Sequence, residues 1–147
     1  YRDIIQNRVT EIEHDNRIAY LTWSITPAMA YYKGLKLRAL LRQNVLEALT
    51  GVDVLLMPTQ GTAAPKIEPD PIIDSREKTG RNRTSLTTTF SLASSPAISI
   101  NCGFTSDNLP IGLQIGGKPF DEQTVLNVAY AFEQKYSDWH NRRPPIG

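Results

Sequence analysis

The sequence predicts an α/β fold, with helices around a buried strand and a hairpin, and three stretches carry that expectation. Leu37, Leu41, Val45 and Leu49 recur at helical spacing between a Thr26-Pro27 start and a Gly51 stop. Val52 to Met57 is a short apolar run without polar alternation, ended by Pro58. Such a run suits a strand covered on both faces. Ala97–Cys102 and Ile111–Ile115 then read as two strands around a turn, followed by a helix that starts at Asp121. About three strands and three to four helices are expected.

Taken in order, residues 2 to 21 form a polar helix with a thin apolar stripe of Ile5, Val9 and Ile12, extended by Asn16 and Tyr20. In the next helix Thr26 is the expected N-cap, Pro27 suits the first helical position and Gly51 the position just past the end. Leu40 and Ala48 widen its apolar face, and Arg38 and Arg42 are expected in solvent. Residues 59 to 80 carry Pro65, Pro69 and Pro71 and read as a loop long enough to be functional. Thr84 to Leu92 has strand-favouring threonines, yet Leu86, Phe90 and Ala93 fall at helical spacing, which favours helix. Asp107-Asn108 supplies the turn that pairs the two following strands antiparallel. In the last helix Val125, Val128, Ala129, Phe132 and Tyr136 form the buried face, with Glu122 favourably placed in the first turn. A strand buried on both faces needs neighbours, and each buried Val or Leu is worth roughly 1.5–3 kcal/mol. With only two further strands at hand, sheet is expected to be supplied by sequence outside this chain.

Composition narrows the function classes. A chain of 147 residues, 40% hydrophobic and 21% charged, has the makeup of one globular domain. Sixteen basic against fifteen acidic residues leave a charge of +1, with no field directed at nucleic acid or acidic lipid. The densest basic cluster, Arg76, Lys78, Arg81 and Arg83, reads as a solvated loop. No apolar run approaches the ~20 residues of a membrane span. Cys102 stands alone, which fits a reducing compartment and a cytoplasmic location. His14 and His140 lie in no metal-ligand spacing, so no metal and no cofactor is expected. The start at Tyr1 rather than Met is the first hint of a fragment.

Three segments, VDVLLMPT from Val52, SPAISINCGF from Ser95 and LPIGLQIGGKPFDE from Leu109, with a closing YSDWHNRRP from Tyr136, resemble the C-terminal third of the amidase signature family. The resemblance extends over the whole chain; LPIGLQI followed by GKPFDE is its most specific part. It implies part of the amidase signature fold, a mixed sheet flanked by helices, with residues 1–147 as the C-terminal part of a single domain whose catalytic part is absent. It also implies carboxamide hydrolysis by a serine nucleophile. In that family a lysine acts as base through a bridging serine, and backbone N–H groups hold the oxyanion. None of that constellation matches here: no Gly-Gly-Ser-Ser occurs, so no catalytic residue is assigned. Ser94-Ser95 is a decoy, standing where the family commonly has Gly-Leu at the start of a strand. Ser91 replaces a usual asparagine and Asn101 a common proline.

Two residues are candidates for substrate binding. The segment before the SPAISI strand tends to line the acyl pocket in this family. Relatives that take glutamine carry an acidic residue near the position of Thr84, where it grips the substrate's α-amino group. Thr84 cannot form that ion pair. Thr59 ends the first strand, a common ligand position in α/β sheets. Ordinary packing is the competing explanation for either threonine. The reading adopted is the C-terminal portion of a general amidase acting on a small-molecule amide, inactive by itself, with no nucleic acid or membrane partner; a homodimer is compatible with it. The alternatives are the A subunit of a glutamine-dependent aminoacyl-tRNA amidotransferase and a non-catalytic binding module.

Overall fold

A computed structural model describes residues 2–12, 14–64, 86–136 and 142. The chain divides into two compact units: residues 1–37 with 66–82, and residues 38–65 with 83–147.

In the first unit the single N-terminal helix expected from the sequence is broken. Helix α1 spans Arg2–Asn7, a 3-10 turn spans Val9–Glu11, and α2 spans His14–Ser24. The break falls at Ile12, which takes extended backbone with φ −90° and ψ 137°. Arg17 stabilises the break, its Nη2 donating to the carbonyl of Ile12 at 3.1 Å and that of Thr10 at 3.4 Å. Helix α3, Ala28–Ala48, begins in this unit and ends in the second. Thr26 is not its cap: the Thr26 hydroxyl donates backward to the Thr22 carbonyl at 3.0 Å. Pro27 instead supplies the first carbonyl, which accepts from Ala30 and Tyr31.

In the second unit the expected stripe of α3 packs only in part. Val45 and Leu49 are buried and Leu41 half-buried, but Leu40, and Leu37 in the first unit, are exposed. Ala48 is exposed as well. Gly51 ends the helix as expected, taking the left-handed φ of 79° that a side chain would resist.

Strands β1 (Val54–Pro58), β2 (Ala97–Phe104) and β3 (Pro110–Gly117) form an antiparallel sheet in the order β1-β3-β2. The turn chemistry at Asp107-Asn108 holds: Asn108 has φ 62°, and its N–H donates to the Thr105 carbonyl. Both strands run longer than the sequence suggests, and β2 carries a bulge between Asn101 and Gly103. Asn101 shapes it through Oδ1, which accepts from the Gly103 N–H at 3.1 Å; a proline there could not.

Helices cover both faces of this sheet. On one face Leu55 and Met57 pack with Val45, Leu49, Phe90 and Ala93, the last two from α4 (Thr88–Ala93). On the other, α5 (Glu122–Lys135) lays Val125 and Ala129 on Ile100 and Ile115, joined by Val54, Ile98 and Leu113. Asp121 caps α5, its Oδ1 accepting from the Thr124 N–H at 3.4 Å. The two-faced cover expected of the first apolar run holds in part for Val54, Leu55 and Met57, which are half-buried. It fails for Leu56, which is 59% exposed at the sheet edge, and Val52 lies outside the strand. Helix α4 fulfils the helical reading of Thr84 to Leu92 over its second half; residues 65–85, with most of the expected loop and the basic cluster, lie outside the described residues. So does the tail, apart from Arg142, which stacks on Phe104 and donates to Asn108 Oδ1 at 2.6 Å.

Candidate functional site

The face of β3 that looks toward α4 repeats Gly112, Gln114 and Gly116, and this spacing builds the site. Each glycine lets another side chain lie directly on the strand. Phe90 lies on Gly116. Over Gly112 sit Thr59 and Ser99, whose hydroxyl oxygens are 2.6 Å apart in a hydrogen bond. A Cβ on Gly112 would stand 2.7 Å from Thr59 Oγ1. The Thr59 N–H donates to the Gly112 carbonyl at 2.8 Å, which extends the β1–β3 ladder and fixes the threonine.

This hydroxyl pair stands between two cavities. Thr59 lines an open cleft of about 520 Å³ with Gln60, Thr62, Thr105 and Ile111. Ser99 lines a smaller one of about 250 Å³ with Thr87, Phe90, Ser91, Ser95 and Gln114. Gln114 is only 3% exposed, the one buried polar residue of the described core. Its Oε1 and the Ser95 Oγ are both shut off from solvent and have no hydrogen-bond partner among the described residues. The Ser91 hydroxyl is satisfied locally by the Thr87 carbonyl at 3.2 Å. No described residue lining either cavity is ionisable. The arrangement can therefore receive neutral polar groups, but it offers no proton acceptor of the strength that amide attack requires.

The structure places Thr59 at this site, whereas Thr84 lies outside the described residues. Ser94 and Ser95 both sit at the α4–β2 junction, and neither hydrogen-bonds a basic acceptor among the described residues. Ser94 closes α4 in the left-handed conformation, with φ 55°. Arg38 is exposed as expected, and it donates to the Ser94 Oγ at 2.7 Å and to the Leu92 carbonyl at 2.9 Å. A guanidinium only donates and cannot take the hydroxyl proton. Its role is to tie α3 to the end of α4. Arg38→Ala is expected to lower stability by about 1 kcal/mol, since charge-assisted bonds at an exposed site are modest. The urea midpoint of the complete protein measures this, and Arg38→Lys should recover only part, lacking the two-pronged geometry. Sequence reasoning missed Ser99 and Gln114. The available signal was a glutamine in an apolar strand, two residues from a glycine on either side.

Among the described residues no group of three His, Cys, Asp or Glu side chains could hold a metal ion, and no helix is long and apolar enough to cross a membrane.

Comparison with known proteins matches residues 6–126 to the amidase family profile. The chain is 48% identical over 118 residues to the A subunit of glutamyl-tRNA(Gln) amidotransferase from Methanosarcina mazei, covering 78% of this chain and 23% of that protein. It thus spans about a quarter of the length of the curated relatives it matches. Among solved structures, the protein of the same name from Thermotoga maritima aligns with a TM-score of 0.54 at 30% identity, covering 76% of this chain and 24% of that one. The 6-aminohexanoate cyclic dimer hydrolase aligns with a TM-score of 0.68 at 26% identity, covering 82% and 27%.

Proposed function

The chain belongs to the amidase signature family, and from that membership we propose that it is the C-terminal portion of a hydrolase cleaving carboxamide C–N bonds. Its part in the enzyme is to form a wall of the substrate pocket. The nucleophilic serine, the bridging serine and the lysine are supplied by sequence outside this chain. In the complete enzyme the serine oxygen attacks the amide carbonyl while its proton passes through the bridging serine to the lysine. The amine then leaves with a proton, and water releases the acid.

The uncharged lining of the two cavities carries the choice of substrate class. The described residues of this wall are Thr, Ser, Gln and apolar side chains, none of which pairs with a substrate ammonium or carboxylate. It favours neutral amides. The test is to compare kcat/KM of the complete protein for glutamine and for an uncharged aliphatic or aromatic amide. Preference for the neutral amide supports the reading, and preference for glutamine overturns it.

One observation favours a second reading, the A subunit of a glutamine-dependent aminoacyl-tRNA amidotransferase: the relatives named so are 38–48% identical to this chain. Thr84 separates the two, since it stands where glutamine-using relatives keep a carboxylate. In the complete protein Thr84→Asp is expected to move the kcat/KM ratio toward glutamine about tenfold, some 1.4 kcal/mol of differential transition-state binding. Equal change for both substrates, or none, would place Thr84 outside the pocket.

A further inference from the structure

The cavity of about 250 Å³ beside Gln114 has a property that the larger cleft lacks. Two of its polar atoms, Gln114 Oε1 and Ser95 Oγ, are buried without a hydrogen-bond partner among the described residues. A buried polar group left unpaired is costly, and proteins rarely keep one without a use. Gln114 is the sharper case. A glutamine that is 3% exposed sits in the middle strand, where Leu113 and Ile115 on either side turn to the apolar core. An apolar side chain there would be the cheaper choice for packing alone.

The unpaired atoms define what would complete them. Gln114 Oε1 only accepts, so its partner must bring an N–H or O–H. The Ser95 hydroxyl can donate, so its partner can be a carbonyl oxygen. Ser91 and Ser99 add hydroxyls on the same cavity, and no charged side chain among the described residues lines it. A primary carboxamide carries both complements on one planar group. The volume lies just below the ~300–1,000 Å³ typical of whole-ligand pockets, so the cavity holds one end of a molecule rather than all of it.

We infer that Gln114 and Ser95 form a specificity subsite for a second, uncleaved neutral carboxamide of the substrate. Gln114 Oε1 accepts from the terminal NH2 while the Ser95 hydroxyl donates to its carbonyl. This subsite rests on the amide-hydrolase reading above, and it narrows the substrate class to short diamides.

Two probe substrates of the same skeleton test it in the complete enzyme: succinamide, and 4-methylpentanamide, in which an isopropyl group replaces the distal carboxamide. The wild type is expected to favour succinamide about tenfold in kcat/KM, a cautious figure for a site built to hydrogen-bond one substrate and not its apolar analogue. Gln114→Met keeps the bulk but removes the acceptor, and should reduce that preference about tenfold. Ser95→Ala, a minimal change, should reduce it about threefold, and it decides the matter if Gln114→Met fails to fold. A purely structural role would lower both activities together and leave the ratio in place. If the ratio is unchanged in both variants while amides are still cleaved, the cavity holds only water, and the subsite is wrong although the hydrolase reading stands. If the wild type cleaves neither amide, that reading falls and the subsite with it.

Discussion

Gly116→Ala is expected to destabilise the protein by about 3 kcal/mol, the upper end of what overpacking a filled core costs. A Cβ at this position would be driven into the ring of Phe90. Neither party can retreat. Gly116 lies in the middle strand, its backbone held between Leu55 of β1 and Ala97 of β2. Phe90 is 1% exposed and wedged among Val45, Leu49 and Ala93, with a rigid ring in place of flexible methylenes. Urea unfolding of the complete protein measures the loss. The specific signature is coupling: in a Gly116→Ala, Phe90→Leu double variant the smaller side chain makes room for the added methyl. The pair should then be clearly more stable than the sum of the single losses implies. Additive losses would show that the methyl is accommodated in some other way.

The second large effect is an absence of chemistry. This chain by itself is expected to hydrolyse no amide and to remain unlabelled by a serine-directed fluorophosphonate. Such probes report a hydroxyl made nucleophilic by a neighbouring base. Ser94 Oγ accepts from the Arg38 guanidinium, which can only donate, and Ser95 Oγ is buried without a partner among the described residues. Labelling at parity with the complete enzyme, mapped to either serine, would overturn the assignment of the nucleophile to sequence outside this chain.

The extent to which these features could be read from the sequence depended on the range of the interactions behind them. The Asp121 cap and the Gly51 stop are local, and both are present as expected. The hairpin of β2 and β3 was legible for the same reason, because a short turn fixes its register. Apolar periodicity identified α3 but not how much of it is covered, since Leu37 carries the same signal as Val45 whether or not a neighbour exists. The break at Ile12 depends on Arg17 reaching back to two carbonyls, which no propensity encodes. Of the site, Thr59 was legible from its place at a strand end. Ser99 and Gln114 were not, because their meaning comes from Gly112 and Gly116, which open that face of the strand to hydroxyls and a ring from distant segments.

The strand order β1-β3-β2 also bears on how the chain is made. Among the described strands β1 pairs only with β3: Pro58 lies opposite Leu113, about 55 residues later. At the usual pace of synthesis, roughly 5–20 residues per second, β1 waits on the order of 3 to 11 s for its partner. Throughout that interval Leu55, Leu56 and Met57 form an apolar run without the β3 ladder. A nascent chain paused in this window presents a binding segment for a holding chaperone, and codons that slow translation between Pro58 and Leu113 lengthen the exposure. Substitutions that make Leu56 polar should therefore raise the yield of soluble protein more than they alter the stability of the finished fold.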